Sequence, residues 1–375
     1  MATRTTPPVL GARALNRATL DRQLLLRRAP RATLSVLAAV EHVVGLQAQN
    51  VKPPYFALAA RLAAFDPAEL SGLMASRQVA RLVTMRSTIH THTADDCLTL
   101  RPLMQSGGPE RELRAFRAGL AGVDLDRLRR TTRELVEEEP RTMRQLRDAL
   151  LLQWPEADPF SLSVAARCVL PLVQVTPRGL WGGSGQVALT TAEHWFGRGP
   201  MAAATADAAV LRYLAAFGPA SVKDMQTWSG LTRMREVFAR LRPQLAVFQD
   251  DRGGELFDLP DAPRPDEDTP APPRFLPEYD NLLLSHADRR RVVARDEHRA
   301  LTWRGNQSYP TLLVDGFLAG IWRLTDEGER TALTVQPFGE LTPAQRDEVA
   351  AEGELTLTAM SANTSYDIRF ETFLD

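Results

Sequence analysis

Lysine is nearly absent from this chain. Lys52 and Lys223 are its only lysines, whereas Lys and Arg together number 45. A GC-rich coding bias would produce this composition. A phosphate-binding protein would also produce it, because the planar guanidinium of arginine matches a phosphate better than an ammonium group does. The formal net charge is −1, so the overall charge does not indicate nucleic-acid binding, and both explanations stay open.

Features of membrane, secreted and zinc-binding proteins are also missing. No run of about eighteen consecutive apolar residues occurs, which argues against a transmembrane helix. The opening stretch MATRTTPPVLGARAL has no apolar segment of the kind found in secretory signals. Cys97 and Cys168 are too few and too far apart for a disulfide framework or a zinc site. We therefore expect a cytoplasmic protein.

The familiar short motifs of cofactor-dependent and hydrolytic enzymes are not found. The chain has no GxGxxG after a strand, no P-loop, no HExxH and no GxSxG. The stretch WGGSGQ, Trp181 to Gln186, resembles a phosphate loop in composition only, and its position favours the turn of a hairpin. No cofactor and no metal ion are expected.

A repeated helical pattern fills the first 260 residues. In the clearest copy, apolar spacing predicts three helices, with Ser221 as an N-cap and Gly230 as a turn, followed by two strands around a Gly-Gly turn. Helix, helix, turn, helix and hairpin is the order of a winged helix-turn-helix. The sequence predicts three such modules, at residues 15–105, 120–195 and 203–260. The fold class expected is α+β, mainly α.

The C-terminal part has a β-rich pattern. The stretch Leu259 to Pro277 is rich in proline and acidic residues and is typical of an extended linker. Beyond it, two apolar runs around Asp315-Gly316 predict a hairpin, and Thr342 and Pro343 open a helix. We expect a separate C-terminal unit at residues 274–375, folded as a small barrel or half-barrel with one helix.

Two glutamines stand out in VVGLQAQN, Val43 to Asn50. Gln47 and Gln49 lie two residues apart at the end of an apolar run, so an extended backbone would point both side chains the same way. A side-chain amide cannot remove a proton from water, but it can hold and orient a water molecule. The alternative is structural, with the amides satisfying the hydrogen bonds of a buried helix end.

Histidines and arginines supply further candidates. His90 and His92 alternate in STIHTHTADD and share one strand face with Thr88. They suit a metal pair completed by Asp95 or Asp96, a nucleic-acid contact, or an ordinary strand surface. Later in the chain, His286 precedes three consecutive arginines, Arg289, Arg290 and Arg291, which could follow phosphates or form a solvated face balanced by nearby acids.

Four stretches together carry a resemblance to a known family. They are LNRATLDRQLLLRR, VVGLQAQNVKPPYFALAARL, LVTMRSTIHTHTADD and FLPEYDNLLLSHADRRRVV. From about Leu15 onward the chain is similar to the AlkZ-type DNA glycosylases, in the superfamily that also contains the YcaQ proteins. The resemblance implies tandem winged helices and a C-terminal β-rich element around a concave face that binds duplex DNA. Gln47-Ala48-Gln49 matches the Gln-x-Gln branch, whereas the YcaQ branch has Gln-x-Asp.

The activity implied is monofunctional excision of bulky or crosslinking N7-alkylated guanines, with Gln47 and Gln49 as catalytic residues. Family members in antibiotic producers give self-resistance to DNA-alkylating natural products. The partner expected is double-stranded DNA with an alkylated guanine, bound by a monomer without a membrane or an obligatory protein partner. The residues expected to contact DNA are Asn50, Arg86, His90, His92, His286, Arg289, Arg290 and Arg291.

The chemistry of the lesion explains why neutral amides would suffice. An N7-alkylguanine carries a positive charge that is neutralised as the base leaves, so the transition state concentrates positive charge on the sugar. Placing a water molecule near C1′ and stabilising that cation are then the main tasks. A hairpin, either the Val79–Thr93 wing or a C-terminal one, would probe the minor groove, because a bulky adduct does not suit complete flipping into a small pocket.

Two other functions compete with the glycosylase. Winged helices are common in DNA-binding regulators that have no catalytic activity, and a scaffold whose wings bind protein is also consistent with the modules. Formation of abasic sites distinguishes an enzyme from a regulator. Duplex binding that falls steeply with added salt argues against a protein-binding scaffold.

Overall fold

The N-terminal module has the order helix, short strand, helix, helix, hairpin. The computed structural model describes residues 7–199 and 201–374 of the chain. Its first elements are β1 (Val9–Leu10), α1 (Ala12–Arg22), α2 (Val36–His42), β2 (Leu46–Gln47), α3 (Pro53–Arg61), α4 (Pro67–Ala75), β3 (Val79–Val83), β4 (Ile89–Thr93) and α5 (Ala94–Leu103). Proline opens both α3 and α4, as the sequence predicts, because the N–H that proline lacks has no partner in the first helical turn. A 3₁₀ turn, Met85–Ser87, joins β3 to β4.

The second module repeats this order. Its elements are α6 (Pro109–Ala115), α7 (Leu125–Glu138), β5 (Arg141–Thr142), α8 (Met143–Leu151), α9 (Pro159–Val169), β6 (Leu172–Gln174), β7 (Ala188–Thr191) and α10 (Ala192–Phe196). Thr142 caps α8 through a reciprocal capping box with Gln145. The glycine-rich stretch Trp181–Gln186 lies in the loop between β6 and β7, so the hairpin interpretation of that stretch is confirmed.

The third module follows the same plan with a shorter wing. Its elements are α11 (Ala206–Phe217), α12 (Val222–Ser229), α13 (Met234–Leu241), β8 (Ala246–Asp250) and β9 (Glu255–Asp258). Ser221 caps α12, as predicted, and Gly230 ends it with a φ of 77°, a conformation that glycine adopts without steric cost. The order of elements in all three modules is compatible with tandem winged helices.

The hairpins of the first two modules form one six-stranded sheet. The strand order is β2-β4-β3-β6-β7-β5. The short strands β2 and β5 lie at the two edges, and the wings β3–β4 and β6–β7 lie side by side between them. Antiparallel pairing of β3 with β6 joins the halves. Because β4 lies between β2 and β3, it has a neighbour on both sides. The wing at Val79–Thr93 is therefore an interior part of this sheet.

The C-terminal segment is an open sheet covered by one long helix. Its elements are β10 (Arg274–Leu276), α14 (Asn281–Leu284), α15 (Asp296–Leu301), β11 (Trp303–Arg304), β12 (Gln307–Ser308), β13 (Thr311–Val314), β14 (Phe317–Glu327), β15 (Arg330–Pro337), α16 (Pro343–Met360) and β16 (Ser365–Phe370). The hairpin at Asp315-Gly316 and the helix capped by Thr342 are confirmed. The main sheet has the order β10-β13-β14-β15-β16, with β10 and β16 at its two edges, so of the expected barrel or half-barrel the closed barrel is wrong.

The C-terminal segment does not have a core of its own. One cluster of buried side chains contains α2 and α3 of the first module together with the C-terminal sheet and α16. The ring of Trp322 lies 5.4 Å from that of Phe56 and 5.5 Å from that of Phe275. The proline-rich stretch thus connects two parts of one packed body, which corrects the expectation of a separate C-terminal unit. Overall, the prediction of an α+β, mainly helical fold is confirmed.

Within the described residues, no helix combines the length and the apolar character needed to cross a membrane.

Candidate active site

Gln47 ends β2 at the edge of the six-stranded sheet, directly opposite His90 of β4. Its side chain is almost completely buried, and its carbonyl Oε1 accepts a hydrogen bond of 2.9 Å from Nη2 of Arg86. This contact fixes the orientation of the amide, since only the oxygen can accept from a guanidinium. The amide is thus oriented before any substrate binds.

Gln49, the residue after Ala48, is also held by β4. The Ala48 N–H donates to the carbonyl of Ile89 at 2.7 Å, and the Ile89 N–H donates to Oε1 of Gln49 at 3.0 Å. The Gln49 side chain is nevertheless exposed. Both amides of the motif therefore have a fixed carbonyl direction, although Gln47 is enclosed and Gln49 faces solvent.

Arg86 links the motif to the third module and lies near the C-terminal segment. It lies in the 3₁₀ turn before β4 in a left-handed conformation with a φ of 54°, and its Nη1 donates to the backbone carbonyl of Trp228 at 2.5 Å. Burial, and secondarily the charge of Arg289, lowers the pKa of Arg86 to about 10. Among the side chains that the structure describes, which exclude that of Glu297, neither arginine forms an ion pair with a carboxylate. This part of the site is consequently electropositive.

Close backbone contacts support the turn that carries Arg86. A Cβ atom at Gly108 would lie 2.5 Å from the Ser87 nitrogen, and one at Gly107 would lie 2.9 Å from the carbonyl carbon of Gly230. Only glycine allows so close an approach. The Gly-Gly pair between α5 and α6 thus brings the first, second and third modules together beside Arg86.

The loop after Gln49 is fastened to the C-terminal segment. Asn50 Nδ2 donates to Oε1 of Glu278 at 3.0 Å, and Asn281 Nδ2 donates to the carbonyl of Gly45 at 2.6 Å. Arg81 adds a buried contact from beneath, because its Nη2 donates to the carbonyls of Ala48 at 2.6 Å and Asn50 at 3.1 Å. The motif loop is therefore rigid at both ends.

The contacts around the motif join into a ring. Arg86 contacts Gln47 and lies near Arg289, Arg289 and Tyr279 line one small cavity, and Glu278 contacts Asn50. We call the area enclosed by these contacts the motif cleft. Its residues are Gln47, Gln49, Asn50, Arg86, Glu278, Tyr279 and Arg289.

A family model described as DNA glycosylase AlkZ-like matches residues 40–358, which is most of the chain. The chain belongs to the AlkZ-like DNA glycosylase family. It is similar to a curated protein of Streptomyces sahachiroi named interstrand DNA cross-link repair glycosylase, with 24% identity over 340 residues, 82% of this chain and 86% of that protein. The solved structure of S. sahachiroi DNA glycosylase AlkZ superimposes with a TM-score of 0.75 and 21% identity, covering 97% of this chain and 100% of that one.

Membership of the AlkZ-like family decides between the functions left open above. Members of the family are DNA glycosylases, so the prediction of an enzyme that acts on DNA is confirmed, and a regulator without catalytic activity is not supported. At 21% identity the solved structure supports the fold alone. The catalytic assignment of Gln47 and Gln49 stays a prediction.

Four of the residues expected to touch DNA are buried in this AlkZ-like chain. They are His90, His92, His286 and Arg291, each less than 5% exposed. Both strand histidines are covered because β4 is an interior strand whose faces pack inside the protein. His286 Nε2 lies 3.0 Å from the Phe217 carbonyl, and Arg291 Nη1 donates to the Pro219 carbonyl at 2.8 Å. Direct DNA contact by these four side chains does not fit the structure.

The metal interpretation of the strand histidines is not supported either. His92 Nε2 lies 3.0 Å from Oγ1 of Thr84, and His90 Nδ1 lies 3.0 Å from the carbonyl of Thr88. Asp96 is engaged in two hydrogen bonds with Arg212. Over the described part of the chain, no three His, Cys, Asp or Glu side chains are grouped so that they could hold a metal ion.

The three consecutive arginines, Arg289, Arg290 and Arg291, lie in three different environments. Arg291 is buried, and Arg290 pairs with Asp288 at 2.6 Å and Asp251 at 3.1 Å. Only Arg289, which is half-buried, borders the motif cleft. Burial and the charge of Arg299 lower its pKa to about 10. Of the three, Arg289 is the residue with a guanidinium available to an incoming anion.

The buried histidines predict a loss of stability in mild acid. Burial lowers the pKa of His92 to about 4, and burial, then Arg86, lowers the pKa of His90 well below its ordinary value. A histidine with a depressed pKa binds fewer protons in the folded than in the unfolded state. Stability should thus fall as the pH drops from about 6.5, by about 1.4 kcal/mol per pH unit for each such histidine, until the folded pKa is reached.

Urea unfolding at pH 7.5, 6.0 and 5.0 measures this slope. The variant His92→Asn should have a flatter dependence than the wild type, whereas His194→Gln, at an exposed position on α10, should not change it. Equal slopes for the wild type and His92→Asn would contradict the linkage.

Sequence reasoning missed Glu278, Arg61 and Arg81. Arg61 makes two hydrogen bonds of 2.8 Å with Asp280, and this buried pair anchors the segment that carries Glu278. The stretch FLPEYDNLLLSHADRRRVV indicated this region, but its three consecutive arginines are a more conspicuous sequence feature than its acidic residues. A charged Glu and Asp placed directly after the apolar residues of β10 were the available signal.

Proposed function

We propose that this AlkZ-like chain hydrolyses the N-glycosidic bond of cationic N7-alkylguanines in double-stranded DNA, including bulky adducts and interstrand crosslinks. The pair of amides with fixed carbonyl directions at an edge strand, Gln47 and Gln49, carries the proposal. The name of the S. sahachiroi relative, an interstrand cross-link repair glycosylase, supports the inclusion of crosslinks.

The arrangement suits a leaving group that is already activated. As the C1′–N9 bond breaks, its electron pair passes to the guanine and neutralises the charge at N7, while positive charge grows on the sugar. Each glutamine oxygen has one lone pair committed, Gln47 to Arg86 and Gln49 to the Ile89 N–H, and the second lone pair can accept a hydrogen bond from water or face the sugar. Such oriented dipoles stabilise developing charge without reorganising.

The two unpaired arginines at the cleft give a place for the DNA backbone. Arg86 and Arg289 form no ion pair among the described residues, and each has a pKa lowered to about 10 by burial. A phosphate would neutralise this electropositive wall through charge-assisted hydrogen bonds. It would also fix the position of the neighbouring sugar relative to Gln47.

The helices that directly precede the wings of the three modules are α4, α9 and α13. Of these, α13 fits a DNA groove best. α4 has no basic residue. α9 is partly covered by α6, since Arg167 pairs with Glu112 and the Phe116 and Phe160 rings lie 5.4 Å apart. α13, by contrast, exposes Arg235, with Arg233 at its N-cap. We therefore assign the principal groove contact to the third module, in a protein that binds as a monomer.

Incubation with lesion-containing duplexes tests the function. Duplexes carrying one N7-methylguanine, or a nitrogen-mustard crosslink, are incubated with the protein and then treated with alkali to break the strand at abasic sites. We expect breaks at the modified guanine above the spontaneous background and none in a duplex with uracil, whose base is neutral. Absence of abasic sites with every cationic lesion would overturn the proposal.

The C-terminal hairpin β11–β12 is the better candidate for a lesion probe. The Val79–Thr93 wing is an interior part of the six-stranded sheet, whereas residues 304–307 at the tip of β11–β12 are all exposed. Tyr279 connects this hairpin to the motif cleft, because its hydroxyl donates to the Asn306 carbonyl at 2.8 Å and its ring lies 5.6 Å from that of Trp303.

Replacing residues 304–307 with Gly-Ser-Gly-Ser should weaken binding to lesion DNA more than binding to plain duplex, by about tenfold against about twofold. Fluorescence anisotropy with both duplexes measures the ratio. Glu329→Ser, in the exposed turn between β14 and β15, serves as the control. Equal weakening on both duplexes would make the hairpin a general clamp rather than a probe.

A further inference from the structure

Glu278 places a carboxylate beside a motif that has none. It follows β10, is half-buried, and accepts a hydrogen bond of 3.0 Å on Oε1 from Asn50, the residue directly after Gln49. Over residues 7–199 and 201–374, Glu278 forms no ion pair with an arginine, lysine or histidine, and its Oε2 has no hydrogen-bond donor. One carboxylate oxygen is thus used to dock the side chain, and the other is uncommitted.

The backbone under Glu278 is held on both sides. Two residues later, Asp280 is buried in its pair with Arg61, and Asn281 donates to the Gly45 carbonyl at 2.6 Å. Tyr279 adopts a left-handed conformation with a φ of 61°. A non-glycine residue keeps such a conformation only where its surroundings enforce it. Glu278 is therefore fixed in position, unlike most glutamates on a protein surface.

The glutamines alone leave one chemical requirement unmet. Each amide oxygen already accepts a hydrogen bond, and Gln47 accepts it from a cationic guanidinium, which withdraws electron density from the carbonyl. An amide does not accept a proton at neutral pH. In addition, Arg86 and Arg289 raise the free energy of a cationic sugar beside them. A carboxylate hydrogen-bonded to the residue after Gln49, as Glu278 is, would accept the proton and would also offset the positive charge.

We propose that Glu278 is a third catalytic residue and acts as the general base; this assignment rests on the proposed function. The oxygen of a water molecule oriented by Gln47 and Gln49 forms the new bond to C1′. The C1′–N9 electron pair leaves with the guanine, and a proton of the water passes to Oε2 of Glu278, which later releases it to solvent. The negative charge of Glu278 also offsets the two arginines while the sugar is cationic.

Single-turnover excision of N7-methylguanine tests this role with two variants. General-base catalysis contributes about 100-fold or more, so Glu278→Gln and Glu278→Ala should each excise about 100-fold more slowly than the wild type. Their affinity for lesion DNA should be unchanged or higher, since a negative charge is removed. Glu329→Gln, an exposed turn glutamate without an ion pair, should excise at the wild-type rate.

Chemical rescue separates a base from a structural residue. Sodium formate should restore excision by Glu278→Ala at least tenfold, compared with sodium chloride at the same ionic strength, because formate can occupy the vacated space and accept the proton. It should not accelerate Gln49→Ala.

Three outcomes would overturn the assignment, and each of them differs from a failure of the proposed function. Wild-type excision rates in both Glu278 variants, or slow variants without formate rescue at an unchanged melting temperature, would reject Glu278 as the base while the glycosylase stands. If the variants do not fold, the conservative Glu278→Asp is measured instead and must retain measurable excision without formate. A folded Glu278→Asp that has lost excision rejects the role. No excision by the wild type would reject the proposed function itself.

Discussion

Alanine in place of both Gln47 and Gln49 is expected to slow the excision of N7-methylguanine by about a thousandfold, which corresponds to about 4 kcal/mol. Removing one oriented dipole at a developing charge costs about 3 kcal/mol, and the two losses are less than additive because both dipoles act on one sugar. Gln49→Ala alone should remove most of the activity without affecting folding, since its side chain is exposed. Gln47→Ala also deprives Arg86 of an acceptor, so it should lower stability slightly. The alkali-cleavage assay under single-turnover conditions measures all three variants.

Affinity for DNA provides the control for these variants. Gln47→Ala and Gln49→Ala should bind lesion DNA within about twofold of the wild type, because the amides act mainly in the transition state. Gln244→Ala, at an exposed glutamine in the third module, should leave both rate and affinity unchanged. Normal excision by both motif variants would show that the catalytic assignment is wrong and would leave the amides at most a structural role. Unfolding of both would point to the same conclusion.

Arg61→Met is expected to lower the free energy of unfolding by about 3–5 kcal/mol, because it leaves the buried carboxylate of Asp280 without its partner. Both side chains are about 1% exposed or less, and Arg61 also contacts Gln23 at 3.1 Å. Since Asp280 anchors the segment that holds Glu278 against Asn50, excision should fall even under conditions in which the variant stays folded. Urea unfolding and the excision assay measure the two effects separately.

A compensated variant tests the origin of this loss. Arg61→Met combined with Asp280→Leu removes both charges, so most of the stability should return, while excision should stay low because the anchored segment is lost. Arg129→Met, which breaks the exposed pair with Asp126, should change stability by no more than about 1 kcal/mol. A loss below about 1 kcal/mol for Arg61→Met would contradict the proposed importance of the buried pair.

Local sequence signals predicted most elements of this fold correctly. Proline and capping residues set the starts of α3, α4, α12 and α16, and Asp315-Gly316 set a hairpin. These features depend on residues within one or two turns of each other, so a single sequence contains the necessary information. The class of fold could be predicted for the same reason.

Long-range packing explains what could not be predicted. The alternation of His90 and His92 indicated a strand with one exposed face, but β3 pairs with β6 of the next module, and α2 and α5 pack against β4, where both histidines are buried. Glu278 meets Asn50 across 228 positions of sequence, and no periodicity records such a contact. A closed barrel was one of two expectations for the C-terminal sheet, because its strands alone do not show that α3 and α16 pack on it.

The paired wings of the first two modules provide an internal reference for the loop that carries the Gln-x-Gln motif. Gln47 lies opposite His90, three positions before the helix cap Thr93, and Thr142 lies opposite Ala188, three positions before the helix cap Thr191. After Thr142 the next helix begins at once, whereas residues 48–52 separate Gln47 from α3. The second module shows that this junction can close without such a loop, so a chimera carrying the short junction should fold yet lack the motif. The segment that carries Gln49 and Asn50 is therefore additional to the elements of the second module, beside a sheet whose strand pairing is the same in both.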